Sequence, residues 1–105
     1  MDISKIIAVD MDGTLSKQIC WTPEQCLNAE PNMTIVNMVK KIERSNFVII
    51  HTARRDELIP ATLQWLRKHN IRFQAISNNK MAADVYIDDK CYNPFGKINE
   101  DTGGI

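Results

Sequence analysis

Four consecutive apolar residues, Ile6 to Val9, run straight into two carboxylates one residue apart, Asp10 and Asp12. An apolar run without polar alternation suits a strand buried on both faces, which means a parallel strand inside an α/β sheet covered by helices. Carboxylates where such a strand stops stand at the sheet edge where open α/β folds bind their ligands. This one stretch sets both the expected fold class and the place to look for chemistry.

The rest of the chain supplies the partners that such a strand needs. Phe47 to Ile50 repeats the continuous apolar pattern and reads as a second central strand, Arg72 to Ile76 alternates and reads as an edge, and Asp84 to Ile87 is the fourth. Between the first two, Ile35, Met38, Val39 and Ile42 form the stripe of an amphipathic helix, with Asn32 or Thr34 available as its cap and Asn46 placed to end it. Between the second and third, Ile59, Leu63 and Leu66 repeat that stripe. Pro60 fits a first helical turn there, and Asn70 a left-handed C-terminal position. Ser16 to Pro31 has no period and reads as a long loop with room for a helical turn; it carries Cys20, Trp21, Pro23 and Cys26.

The expected architecture is a minimal Rossmann-like α/β fold, a small, mostly parallel sheet flanked by helices in the order β-α-β-α-β-β. With 105 residues there is room for one core. The expected division is a single domain over residues 1–92 and a partly disordered tail over 93–105, where Pro94, Gly96, Gly103 and Gly104 fall. One link is short for this plan. Only Ser77 to Ala83 join the last two strands, whereas a parallel return normally takes a dozen or more residues. Either the strands are short and the chain crosses diagonally, or one of them is not a strand.

Thirteen basic and thirteen acidic residues cancel, so the whole molecule exerts no general pull on nucleic acid or an acidic membrane, although a local basic patch is compatible with that balance. No apolar run approaches the length of a membrane span, and the opening MDISK lacks a signal-like stretch, so a cytoplasmic protein is expected. Three cysteines, Cys20, Cys26 and Cys91, are odd in number and lack CxxC pairing, which favours reduced thiols over a disulfide framework or a zinc site.

Each strand delivers polar groups at its carboxyl end: Asp10 and Asp12 from the first, His51, Thr52 and Arg54 from the second, Lys80 after the third, Asp88 and Asp89 from the fourth. Four carboxylates around one lysine repel one another unless a cation sits among them, and an all-oxygen donor set favours Mg²⁺. These are parts for phosphoryl transfer. One carboxylate can attack phosphorus, a second can move the proton, and a hydroxyl and an ammonium can hold the phosphoryl oxygens.

At this level the sequence resembles the haloacid dehalogenase superfamily of aspartate-nucleophile phosphatases. The DxDGT signature stands as DMDGT, Asp10 to Thr14; the strand ending in Thr as VIIHTAR; the lysine as Lys80; the acidic pair as YIDD. All four occur in family order, and TAR with the lysine and YIDD looks most like small uncapped phosphatases related to capsule-biosynthesis and polynucleotide-phosphatase domains. The resemblance implies Asp10 as nucleophile, Asp12 as acid/base with its backbone carbonyl on Mg²⁺, Thr52 and Lys80 as phosphate binders, and Asp88 and Asp89 as metal shell. Gly13 suits the sharp turn under a bound phosphate. The departures are the lack of a cap domain, a compressed spacing from lysine to acidic pair, and little chain left for a fifth strand.

Outside those motifs, Arg54 and Trp21 are candidate substrate contacts. An arginine beside another at a helix start more often sits in solvent, however, and a loop tryptophan can simply pin its loop. Trp65 reads as packing. The expected activity is Mg²⁺-dependent hydrolysis of a phosphomonoester through an aspartyl-phosphate. The substrate is a phosphorylated small molecule such as a sugar phosphate or nucleotide, or a nucleic-acid end, at an open site that a second copy of the chain could cover. The alternatives are a non-catalytic Mg²⁺- or phosphate-binding module of the same fold, and a phosphoacceptor receiver domain. The receiver expects its acceptor Asp on a later strand, and Phe47 to His51 supplies none.

Overall fold

The structure, a computed structural model, describes residues 5–78 and 83–87. Lys80, Asp88, Asp89, Cys91 and the 93–105 tail lie outside the described residues. Four parallel strands form one sheet in the order β3-β2-β1-β4. The two continuous apolar runs, β1 (Ile6–Asp10) and β2 (Phe47–His51), lie at its centre. Ile7 to Val9 and Val48 to Ile50 are buried without alternation, as a strand covered on both faces requires.

The edges are short. β3 is Ala75–Ser77 and β4 is Val85–Ile87. β3 begins three residues later than the alternation suggests. Gln74 takes the place of a strand neighbour: its side-chain Oε1 accepts the Val48 N–H at 2.7 Å, while its backbone N–H donates to the Val48 carbonyl at 2.8 Å. The troublesome link resolves as short strands joined across the sheet. β3 and β4 are parallel and stand at opposite edges, about 14 Å apart at about 4.8 Å per strand spacing. Residues 78–84 can reach about 25 Å when extended. Asp84 then pins the start of β4: its N–H donates to the Ile6 carbonyl at 2.8 Å and its carboxylate accepts the Ile6 N–H at 2.7 Å.

Three helices cover the sheet. α1 is Pro23–Asn28, α2 is Met33–Ile42 and α3 is Ile59–Lys68. α2 buries Val36, Val39 and Ile42, with Ile35 and Met38 at the margin, so its buried stripe is centred about one residue from the one read in the sequence. Asn32 is its N-cap, without a side-chain bond, and Asn46 closes the other end by donating from Nδ2 to the Ile42 carbonyl at 2.8 Å. α3 starts with Pro60 in its first turn and buries Ala61, Thr62, Trp65 and Leu66. The chain leaves it through Asn70 at φ 57°, the left-handed position expected there. Within the 16–31 loop the helical turn proves to be α1, capped by the Thr22 hydroxyl on the Gln25 N–H. It packs against α3, and fully buried Trp65 donates its indole N–H to the Ala29 carbonyl at 2.8 Å, which ties the loop to the body.

No cap domain is inserted between the described strands, and no described helix is long and apolar enough to cross a membrane. From β1 the chain steps outward through β2 to β3, then returns to the far side of β1 for β4. The direction of strand addition thus reverses between β1 and β4, and in open α/β sheets ligands bind beyond the carboxyl ends of the strands at such a reversal. Asp10 is the last residue of β1 at that end.

Candidate active site

Asp10 is the last residue of β1 and is level with His51 of β2 and, one strand further, Ser77 of β3. All three are partly buried. Beyond Asp10 the chain makes a tight turn around one carbonyl: Met11 O accepts from the Thr14 N–H at 3.2 Å, the Ser16 N–H at 3.0 Å and the Ser16 hydroxyl at 3.2 Å. Met11 drives its side chain fully into the core, so its neighbour Asp12 emerges on the other side. Gly13 has φ 78°, a left-handed conformation that a Cβ would penalise, and this is the reason glycine follows the second aspartate.

The Asp12 carboxylate is clamped. Arg54 Nη2 donates to Oδ1 at 2.8 Å, Arg54 Nε is shared between Oδ1 and Oδ2 at 3.2 Å each, and the Cys20 N–H donates to Oδ1 at 3.0 Å. The Arg54 side chain is 1% exposed and that of Asp12 18%. Behind it, Arg54 Nη1 donates to the hydroxyl of fully buried Thr62, which itself donates to the Leu58 carbonyl, each at 2.8 Å. Burial alone would push Arg54 down, but the hydrogen bonds and charge of Asp12 outweigh it and hold the guanidinium above its ordinary value. Helix α3 therefore aims an arginine, and the arginine aims Asp12. Oδ1 takes three donors while Oδ2 shares one, so Oδ2 keeps the open lone pair.

This is a different place for Arg54 from an exposed helix start. Only its neighbour Arg55 is in solvent, paired with Glu57 at 2.8 Å. Thr52 is fully buried: its hydroxyl accepts the Arg54 N–H at 3.0 Å and its own N–H donates to the Ser77 carbonyl at 3.0 Å. Its hydroxyl thus first serves the turn that positions Arg54. Trp21 does not pin the loop; it is 70% exposed, and Ile19, on the other side of Cys20, is 61% exposed. Thr62 and the Cys20 N–H carry no signal in the sequence, because both act through partners distant along the chain.

The Cys20 thiol is not a reactive group. Cys20 and Cys26 are buried and free, and burial raises Cys20, with Cys26 and Asp12 adding to the effect and Arg54 opposing it. Cys20 therefore stays a neutral thiol at neutral pH. Among the described residues no three His, Cys, Asp or Glu side chains gather as a metal cage. The Asp12 carboxylate is engaged by Arg54 and the Cys20 N–H, chiefly through Oδ1. Hard oxygen donors from Asp10 and the Asp12 backbone fit Mg²⁺ in kind. Thr14, in the same turn, is 3% exposed, and its hydroxyl has no hydrogen-bond partner among the described residues.

No family model matches the chain, and no curated protein matches it in sequence. Three solved structures resemble it. One, described as a conserved protein coded by a locus from Bacteroides thetaiotaomicron, is 25% identical with a TM-score of 0.68 over 89% of this chain and 80% of its own. Two structures of a Pnkp1/Rnl/Hen1 complex, one of them described as an RNA repair complex, align with TM-scores of 0.63 and 0.62 at 19% and 18% identity. They cover 87% and 90% of this chain, which spans only 30% of the length of those chains. The likeness is one of fold. It is compatible with the haloacid dehalogenase-like architecture that the motifs imply.

Proposed function

We propose that the chain is a Mg²⁺-dependent phosphomonoester hydrolase working through an aspartyl-phosphate on Asp10. The observation that carries this reading is the division of labour between the two aspartates. Asp10 ends a central strand at the carboxyl edge of the sheet, while Asp12, two residues on, is gripped by a buried arginine. A site that only bound a cation would not need the second carboxylate engaged in this way.

In the proposed sequence an Asp10 carboxylate oxygen attacks phosphorus as the bond to the leaving oxygen breaks. Asp12 Oδ2 gives its proton to that oxygen, so the alcohol departs neutral. Asp12, now ionised, takes a proton from water; the resulting hydroxide attacks the aspartyl-phosphate, and phosphate leaves with Asp10 regenerated. Arg54 and the Cys20 N–H hold Oδ1 throughout, so the same oxygen faces the alcohol in the first step and water in the second. The ion would be held by Asp10, the Asp12 carbonyl and the Asp88–Asp89 pair that follows Ile87, and when bound it neutralises phosphoryl charge. Lys80 would add a point charge. Thr52 can donate to a phosphoryl oxygen only once the groups that cover it move aside, because its hydroxyl has no exposed surface here.

We place the reaction in the cytosol, a reading that the free buried thiols support. The experiment is phosphate release from p-nitrophenyl phosphate with Mg²⁺, with Asp10→Asn as control. Turnover is expected to vanish in Asp10→Asn with the fold retained, and to stop with EDTA and return with Mg²⁺. Equal activity in the variant would sink the mechanism. Tight Mg²⁺ binding without any turnover would support the binding-module alternative.

A further inference from the structure

Three cations stand at the carboxyl edge of the described sheet, and each is already paired with a carboxylate. Lys17 meets Glu30 at 2.9 Å, Arg54 meets Asp12 at 2.8 Å and Arg55 meets Glu57 at 2.8 Å. The same edge also carries Asp10, at the end of β1, and Asp56, which accepts from Asn78 just after β3. The opposite end reverses the balance: Lys5, Lys40, Lys41, Arg44, Arg67, Lys68 and Arg72 gather where strands begin and helices α2 and α3 end, against Glu43 and Asp84. A polynucleotide depends on Lys and Arg contacts to its phosphates. Among the described residues, the charge balance favours a polyanion at the pole away from Asp10.

Beside Cys20 lies a surface cavity of about 320 Å³ lined by Gln18, Ile19, Cys20, Gln25, Asn28 and Ala29. Cys20 belongs to it and to the candidate site, since it lines the cavity while its N–H holds Asp12 Oδ1 at 3.0 Å. None of the lining residues is ionised. Three are carboxamides, each with one end already used: Gln18 Oε1 accepts the Glu30 N–H, Gln25 Oε1 accepts the Trp21 N–H, and Asn28 Nδ2 donates to the Glu24 carbonyl. The other ends, two NH₂ donors and the Asn28 Oδ1 acceptor, have no partner among the described residues. Donors and an acceptor side by side match hydroxyl groups, which need both. The volume lies at the small end of ligand sites, roughly 300–1,000 Å³, which suits one ring and not a run of nucleotides.

We infer that the substrate's leaving group is a neutral, hydroxyl-rich alcohol of about one sugar ring, seated between residues 18–20 and α1, so that sugar phosphates are preferred over phosphorylated polynucleotide ends. This rests on the hydrolase reading above, because the alcohol must lie beside Asp12 to receive its proton.

The test compares kcat/KM of the full chain, with Mg²⁺, on p-nitrophenyl phosphate, pentose and hexose phosphates, and a 3′-phosphorylated oligonucleotide. The best sugar phosphate should exceed the oligonucleotide by tenfold or more. Asn28→Leu, at an exposed position, should raise KM for that sugar phosphate about five- to tenfold, the effect of one lost neutral hydrogen bond, and affect p-nitrophenyl phosphate, whose leaving group carries no hydroxyl to bind, clearly less. Glu30→Gln, which releases Lys17, should raise oligonucleotide turnover two- to threefold at low salt. An oligonucleotide preferred over every sugar phosphate, or Asn28→Leu affecting both ester types alike, overturns the inference while hydrolysis stands. Failure to hydrolyse even p-nitrophenyl phosphate overturns the hydrolase reading and the inference with it.

Discussion

The contact between Arg54 and Asp12 can be weighed independently of any activity. Three N–H···O contacts of 2.8, 3.2 and 3.2 Å come from two donors, Nη2 and a shared Nε, so they count as about two charged hydrogen bonds. At about 1.5–3 kcal/mol each, their gross contribution is roughly 3–6 kcal/mol. The cost of removing the guanidinium from water, and the 18% exposure of the Asp12 side chain, reduce this. A coupling of about 2–3 kcal/mol remains, at the upper end for residues in contact. Urea unfolding of the wild type, Arg54→Met, Asp12→Asn and the double variant at pH 7 measures it as a double-mutant cycle. Thr62 is not stranded by the methionine, because its hydroxyl still donates to Leu58 O. A parallel cycle on Lys17 and Glu30, with side chains 53% and 60% exposed, should give less than about 1 kcal/mol. An Arg54–Asp12 coupling as small as that of the surface pair would refute the clamp, and with it the assignment of the proton to Oδ2.

Two other perturbations probe the body of the fold. Burial, with Lys68 and Lys40 adding to it, lowers His69 below its ordinary 6.5, so the unfolded chain takes up a proton before the folded one. That stability is present above about pH 6.5 and is lost as pH falls through the folded value; the decline in urea midpoint between pH 7.5 and 5.5 should be smaller in His69→Gln, and an unchanged decline would refute the assignment. Thr14→Val replaces a buried hydroxyl without a partner among the described residues by a methyl group of like shape and is expected to be neutral or stabilising by up to about 1 kcal/mol. A loss above about 1 kcal/mol in thermal unfolding would show that this hydroxyl has a partner in solution.

The central strands were legible because burial on both faces leaves no polar alternation to confuse, and Ile6 to Val9 and Phe47 to Ile50 are such runs. Asn70 was legible for a local reason, its tolerance of φ 57°. The signal for α1 was present in Thr22, Pro23 and Gln25, a cap and first turn, but six residues are too few for a hydrophobic period to show. The stripe of α3 was read from Ile59, Leu63 and Leu66, whereas its largest fully buried side chain is Trp65, whose indole N–H finds its carbonyl 36 positions earlier. The site divides in the same way. Asp10, Asp12 and Gly13 announce themselves because one turn requires them together. The role of Arg54 depends on a carboxylate 42 residues away and a threonine one helix turn into α3, pairings that only folding creates.

The position of β1 also constrains how the molecule assembles. The earliest strand in the chain is flanked by one strand about forty residues later and by another whose anchoring bond, from Ile6 to Asp84, spans 78 residues. Loops of that size must close before their contacts reward the chain, so little of the sheet is stable while β1 lacks its neighbours. Refolding should therefore be slow for a sheet of this size, with the sheet beside Asp10 completed late, when β4 docks.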